Sequence, residues 1–567
     1  MAKTKSEFRA LLVYPNLPGM LVPSLAIGIF TKILKQQGYI VDLFDTTHYI
    51  SDVSSSPHNR VKFLQAREFN DENDLGVTVK AGMLDDFRSK VLEFQPDVMI
   101  VSVVEDVFQK TLLMLDAVSD LNVAHLLGGV FPTAAPDFCL EFPQVKLIGV
   151  GEGEAVIVEV AEALRLGTPL EKIAGTHFKD DAGVIHRNHR PPLVDLDTIS
   201  PDFSLFAAAR FYRPMGGRIF KTLPVETYRG CPYLCTFCNS PMNTGLSRRD
   251  GLGNFLRRKK IAVLEQELEA HIKLHSPEFL YFIDDSFLAR PVAEIFEFCD
   301  MYEKFKLPFW FNTRIENVDA KKLERLKQVG CYRISFGLEC GNEEYRKKVL
   351  KRHPKNEELI AKFAVAAESG IAFSVNLIIG FPGETRDLVM DTVEFTRTIQ
   401  GYDSLTVSIF TPYHGTELHA VAVKNGWLDA KSLTVHTTSS SMLRMPAPYL
   451  SADDIDGLVR VLPLYCYFPK SDWEVLKRAE TDDAEGNRIL EKYSEIYKVQ
   501  FLKGTQDDEK EFLVVGGTGC RTNPKDSFRS IGRLTPEQID TLTLAAHQQL
   551  QGEEDLARGH VRVAGQD

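Results

Sequence analysis

Tyr228-Arg229-Gly230-Cys231-Pro232-Tyr233-Leu234-Cys235-Thr236-Phe237-Cys238-Asn239-Ser240-Pro241 places three cysteines at x3 and x2 spacings, directly after a strand-like run at 222–227. Three thiolates on one short loop suffice to hold three irons of a 4Fe–4S cube and leave the fourth open. Cysteine-only ligation at set spacings is how such clusters are recognised. A structural zinc site asks for a fourth ligand and favours paired two-residue spacings. No Cys or His close by in sequence supplies that ligand, so a distant residue would have to. Three unrelated buried cysteines are the remaining reading.

Outward from this loop the chain alternates. Strands are predicted at 222–227, 278–283, 309–313, 332–337, 373–379 and 405–411. Helices are predicted between them at 260–274, 291–305, 319–328, 343–350 with 355–369, and 386–399. Six such units predict a partial (β/α)6 barrel whose active loops lie at the strand carboxyl ends. The charged segment 343–352 reads as a solvated helix face with i,i+4 pairs.

The cysteine loop, taken together with Gly380-Phe381-Pro382-Gly383-Glu384 and Thr411-Pro412-Tyr413-His414-Gly415-Thr416, resembles the radical S-adenosylmethionine (SAM) enzymes. The resemblance implies a [4Fe-4S] cluster on Cys231, Cys235 and Cys238, with SAM on the open iron cleaved by one electron to methionine and a 5′-deoxyadenosyl radical. Each strand end carries a residue type suited to SAM. Asp284 and Asp285 place carboxylates where a cationic amino group or sulfonium sits, and Asn312 and Arg314 offer donors to a carboxylate. Glu339 resembles the family acid that accepts from SAM. Asn376, Ile379 and Gly380 resemble the turn that reads the adenine edge, Thr411 closes the sixth strand, and Phe237 is placed like the aromatic that packs on adenine.

The N-terminal third alternates too, with strands at 8–14, 40–44, 97–103, 123–127 and 145–150 and helices at 24–38, 85–94, 108–121 and 155–166. That pattern predicts a doubly wound parallel sheet with helices on both faces. Its ligands bind beyond the strand carboxyl ends, near a change in strand order. The loops there carry Asn16 and Leu17, then Val104, Glu105 and Asp106, then Gly128 and Gly129, then Gly151, Glu152 and Glu154. Singly, each glycine loop reads equally well as a tight turn. Together, ahead of the cysteine loop, they resemble the cobalamin-binding domain that precedes many radical SAM cores. The resemblance implies that these ten residues contact cobalamin. None of the fourteen histidines has Asp two positions before it, so the Asp-x-His-x-x-Gly cobalt-ligand motif is missing. Cobalamin is then expected without that histidine, its lower face left to water or packed by the 104–108 loop.

These readings divide the chain into a cobalamin-binding-like domain at 1–167, a linker at 168–220, a radical SAM core at 221–428 and a mainly helical C-terminal domain at 429–567. The last is predicted to hold helices at 452–462, 471–479, 483–497 and 536–550 and to cap the barrel mouth. Residues 511–520 imitate a phosphate loop but lack its Lys-Ser/Thr. The tail from 552 reads as disordered. A net charge of −12 argues against a nucleic-acid partner. Nine cysteines with no small disulfide framework fit a reducing cytoplasm. No run reaches the ~18 apolar residues of a membrane span. A methylthiotransferase would need further cysteines in the first domain, where only Cys139 is found. The expected function is radical modification of an unactivated carbon in a small molecule or lipid, C-methylation first, with cobalamin as second cofactor. A one-electron donor such as flavodoxin or ferredoxin is implied. The alternatives are a cobalamin-dependent cyclase without methyl transfer and a non-catalytic iron–sulfur or cobalamin sensor.

Overall fold

The computed structural model describes residues 3–50, 60–65, 79–180, 182–215, 218–434 and 440–502. The helix expected at 536–550, the 511–520 segment and the tail from 552 lie outside the described residues.

β1 (Arg9–Tyr14), β2 (Ile40–Asp45), β3 (Val98–Ser102), β4 (Ala124–Gly128), β5 (Leu147–Gly149), β6 (Thr176–Lys179) and β7 (Ile185–Arg187) form one sheet in the order β2-β1-β3-β4-β5-β6-β7. β1 to β5 pair in parallel. Its central strands are apolar on both faces because helices cover both. Ala10 and Leu12 join a core with Leu25, Ile27 and Val160, while Leu11 and Val13 join a second core with Phe87, Val91 and Phe108. The order 2-1-3-4-5 reverses between β1 and β3, the switch point beside which ligands bind in such sheets.

Two strands depart from expectation. β6 and β7 extend this sheet antiparallel and lie in the stretch read as linker, so the sheet is mixed rather than all-parallel. They are four and three residues long, and His186 and Arg187 point to solvent, so no apolar run announces them.

β8 (Tyr212–Met215), β9 (Arg218–Val225), β12 (Phe279–Phe282), β13 (Phe309–Arg314), β14 (Cys331–Glu339), β15 (Ala372–Ile379) and β16 (Ser404–Ile409) form the second sheet, with a small ribbon of β10 (Tyr228–Arg229) and β11 (Arg257–Arg258) beside it. From β9 to β16 the six strands run parallel in sequence order, the expected half-barrel, while β8 closes one edge as an antiparallel partner of β9. Phe282 and Phe309 point outward onto Phe298 and Tyr302 of helix Val292–Tyr302, and Phe336 and Phe373 onto Phe363 of helix Asn356–Ser369. Strand alternation therefore turns Asn312, Ser335, Ser374 and Asn376 inward. Helix Ala452–Tyr467, opened by a Ser451/Asp454 capping box, packs on β16 and on helix Arg386–Thr398. Arg397 ties the two helices by donating to the Phe468 carbonyl at 2.6 Å.

Candidate active site

The cysteine loop leaves the carboxyl end of β9 through Gly230. Its φ is +100°, and a Cβ there would stand 3.0 Å from the Phe255 carbonyl oxygen, so only glycine fits. Cys231, Cys235 and Cys238 are unbridged and partly buried. Burial pushes the Cys231 thiol up to about 12 and the Cys238 thiol up to about 11. Two donors reach the sulfurs: Ser240 N lies 3.4 Å from Cys238 Sγ, and Arg314 Nη1 lies 3.7 Å from Cys235 Sγ. Donors to the sulfurs are one of the levers that set a cluster's potential. Among the described residues no three His, Cys, Asp or Glu side chains converge on a single metal ion. A cube held one cysteine per iron asks for no such convergence, and this donor set of three thiols fits it.

Asp284 anchors the loop's entry. Its oxygens accept from Thr227 N at 2.8 Å, Thr227 Oγ1 at 2.5 Å and Tyr228 N at 3.0 Å, and it pairs with the buried Arg290. Asp284, expected to contact SAM, has its acceptors engaged here by the chain before Cys231. Asp285 differs; one oxygen accepts from Ser240 Oγ at 3.0 Å, and burial raises its carboxyl.

At the next strand ends the charged groups form a chain. Arg314 stacks on Tyr233 at 3.8 Å and pairs with Glu316, and Glu316 faces Arg352 at 3.6 Å. Arg352 donates to Glu339 Oε1 at 3.1 Å and to the Gly337 carbonyl at 2.6 Å. Burial raises the Glu339 carboxyl, and Arg352 opposes that rise. Glu339 has φ +67°, a left-handed conformation costly for a non-glycine residue and concentrated at functional sites. Sequence reasoning missed Glu316 and Arg352. Arg346 and Arg352 lie in the segment read as a solvated helix, yet Arg346 is fully buried and donates to four acceptors around residues 340–356.

Phe237 packs against Phe381 at 5.6 Å, and Phe381 against Phe410 at 5.3 Å, joining the cysteine loop to the loops after β15 and β16. Asn376 lines the barrel interior, and Thr411 Oγ1 turns back to the Ile409 carbonyl. Part of the expected adenine-reading turn is occupied within the protein: Phe410 N donates to the Ile379 carbonyl, and Gly380 N donates to Glu384 Oε2 at 2.6 Å. Phe381 N also donates to that oxygen, while Glu384 Oε1 has no partner.

Burial pushes the Glu384 carboxyl up to about 8 against an ordinary 4.5. A carboxyl raised on folding contributes stability that is complete below about 4.5 and is lost as pH rises through about 8. Glu384→Gln keeps the acceptor and removes the titration. The stability of this variant relative to wild type is expected to rise by a few kcal/mol between pH 5 and 8. Urea unfolding at both pH values checks it, and a pH-independent difference refutes the assignment.

The carboxyl edge of the first sheet faces this site. Gly129 has φ +121°, and a Cβ there would strike the Val103 carbonyl oxygen, so the loop after β4 presses on the loop after β3. Glu105 accepts from His414 Nδ1 at 2.6 Å, from His414 N at 3.0 Å and from Thr434 N at 3.1 Å. Asp106 accepts from Tyr413 Oη at 3.0 Å, and burial pushes its carboxyl up to about 6 against that bond. Asn16 is buried and donates to Met20 O and Thr47 Oγ1, Leu17 is in the core, and Gly151 N is held by Thr133. Gly128 O accepts from Val103 N. Glu152 pairs with Arg229 at 2.9 Å and with Arg257, and Glu154 pairs with Arg229 at 2.7 Å. So Glu152 and Glu154, expected to contact cobalamin, have their carboxylates committed to an arginine two residues before Cys231. Val104 and Val130 stay open at this edge, 45% and 37% exposed.

The sequence matches the radical SAM superfamily over residues 225–396. An uncharacterized methyltransferase of Pyrococcus horikoshii is 25% identical over 383 residues, 66% of this chain and 79% of that one. An anaerobic magnesium-protoporphyrin IX monomethyl ester cyclase of Rubrivivax gelatinosus is 24% identical over 349 residues, 59% of this chain and 60% of that one. Among solved structures, the radical S-adenosylmethionine methyltransferase TsrM of Kitasatospora setae, with cobalamin and a [4Fe-4S] cluster bound, superposes with a TM-score of 0.56. It is 15% identical and covers 86% of this chain and 99% of that one, a likeness of fold.

Proposed function

Because the chain belongs to the radical SAM superfamily, we propose that it is a cobalamin-dependent radical SAM enzyme that methylates an unactivated carbon of a small molecule. The observation that carries this reading is the meeting of two strand-carboxyl edges. The carboxyl ends of a 2-1-3-4-5 sheet are bolted to the carboxyl ends of the half-barrel through Glu105–His414 and Asp106–Tyr413. Cys231, Cys235 and Cys238 would hold the cluster, and the bound cluster with SAM supplies one-electron cleavage of SAM and hence hydrogen abstraction. Asp285, Glu339, Arg314 and Asn376 are the side chains at hand to orient SAM beside it.

On the facing edge, exposed Val104 and Val130 beside Gly128 and Gly129 offer an apolar, backbone-rich surface suited to a flat macrocycle. His414 is not free to ligate a metal there: its Nδ1 is held by Glu105 and its Nε2 lies 3.4 Å from the Ala430 carbonyl. The chain's own work is orientation and the exclusion of water. The substrate is read as a small molecule, and the electron as coming from a flavodoxin- or ferredoxin-type donor. No described helix is long and apolar enough to cross a membrane.

A second reading, cyclisation without methyl transfer, draws on the cyclase relatives. Product stoichiometry separates the two. Methyl transfer consumes one SAM as radical source and one as methyl donor, so 5′-deoxyadenosine and S-adenosylhomocysteine are expected in about equal amounts. Substrate-dependent 5′-deoxyadenosine without S-adenosylhomocysteine refutes methyl transfer, and no 5′-deoxyadenosine under reducing conditions refutes the enzyme reading.

A further inference from the structure

The interior of the half-barrel holds chemistry that the strand-end loops leave unused. In closed eight-stranded barrels the inward positions are packed with bulky branched side chains. Here the inward Asn312, Gly337, Asn376 and Ser408 keep accessible surface, whereas outward Phe311, Phe336, Val375 and Val407 are at most 1% exposed. Small polar groups line the lumen, accessible toward the carboxyl end and buried nearer the amino end, where Trp310, Ser335, Ser374 and Thr406 are 5–8% exposed.

An aromatic platform stands at its amino-terminal end. Tyr281 and Trp310, register partners on β12 and β13, stack at 4.1 Å and 18°. Trp310 Nε1 donates to Ser335 Oγ at 2.8 Å, and Asn312 Nδ2 to Tyr281 Oη at 3.0 Å, which fixes both rings. Arg213, from β8, lies with its guanidinium 4.7 Å from the Trp310 ring centre and 5.2 Å from that of Tyr281. Among the described residues the Arg213 guanidinium has neither a hydrogen bond nor a carboxylate partner. It is deep enough for burial to pull its basicity down, yet it keeps some accessible surface, as a cavity wall does. Arg60 comes close enough to be felt by Arg213's charge, its Nε unpartnered, and neighbouring Gln65 caps the open edge at β16 through Val407 N at 2.9 Å. Two partly buried guanidinium groups that feel each other's charge, with no carboxylate partner among the described residues, are unfavourable unless an anion joins them.

We propose that Arg213, seconded by Arg60, anchors an oxyanion of the substrate, a carboxylate or a phosphoryl group, inside the barrel lumen. The planar guanidinium suits bidentate capture of either. Trp310 precedes Arg314 by four residues on one strand, about 13 Å along it. Arg314 sits at Cys235, so the substrate carries its acid roughly that far from the carbon presented to the cluster. This assignment rests on the reading that the reaction occurs at the strand carboxyl ends, but its test does not depend on that reaction.

The test uses the full chain, titrated at constant ionic strength with inorganic phosphate or with succinate against chloride, following tryptophan emission and melting temperature. A saturable change with phosphate or with succinate is expected, lost in Trp310→Phe, and the responding anion names the group. Arg213→Met keeps the stacked stem and removes the charge. It should weaken the anion at least tenfold while raising the melting temperature of the ligand-free protein by a few degrees. A structural arginine would behave in the opposite way. No saturable response to either anion, an equal response in Arg213→Met, or an Arg213→Met protein that melts lower or fails to fold each overturns the proposal. Anion binding without 5′-deoxyadenosine formation would sink the radical reading and leave this site standing.

Discussion

Replacing Cys231, Cys235 and Cys238 together with alanine is expected to take iron from about four per chain to background after anaerobic reconstitution, and to abolish 5′-deoxyadenosine formation. The three thiols sit on one loop, partly buried and unbridged, and no alternative set of ligands converges among the described residues. The fold should survive, because the loop is held by other groups: Asp284 at its entry, Thr236 Oγ1 to the Val349 carbonyl at 2.7 Å, and Leu418 N to the Thr236 carbonyl at 3.0 Å. Circular dichroism of the triple variant should therefore match wild type. Iron retained at about four per chain would refute cysteine ligation. Arg314→Met makes a graded companion. It removes a donor near Cys235 and is expected to keep the iron and shift the reduction potential downward, as loss of a donor to a cluster sulfur does.

The cluster loop, the six parallel strands and the first sheet were legible because each follows from local pattern: cysteine spacing, and the alternation of short apolar runs with amphipathic helices. What stayed hidden depends on partners far away in sequence. Asp284 and Asp285 look alike in the chain. Only the packing of Arg290, Thr227 and Ser240 shows that one holds the backbone before Cys231 and the other accepts from Ser240 just after Cys238. Glu152 and Glu154 read as ligand contacts because they follow a glycine-rich strand end, yet their partners Arg229 and Arg257 lie 75 and 105 residues on. Helical periodicity told that one face of 343–352 is charged, and not that the turns at 340–341 and 354–356 would take up Arg346 or that β14 would take up Arg352. Arg213 escaped notice for the simplest reason: β8 is a four-residue edge strand inside a stretch rich in Pro, Asp and Arg.

Asp284→Ala is expected to be the most destabilising single substitution near the site, by about 3–5 kcal/mol. Asp284 and Arg290 are both buried, and Arg290 is further enclosed by Tyr228 at 4.3 Å and Phe287 at 4.1 Å. Removing the carboxylate leaves that guanidinium without its counter-charge. It also strands the Thr227 and Tyr228 amides, which are on the chain leading into Gly230 and Cys231. The damage should therefore reach the cluster: even folded Asp284→Ala protein is expected to reconstitute with less iron than wild type. Asp284→Asn, which keeps an acceptor for the amides, should fall between. The double variant Asp284→Leu, Arg290→Met separates charge from shape. Exchanging a whole buried ion pair for apolar side chains is often nearly neutral, so it should recover most of the loss in urea unfolding. Iron loading should then recover only in part, because the two amides still lack an acceptor. If Asp284→Ala unfolds within about 0.5 kcal/mol of wild type, the carboxylate is not holding this loop.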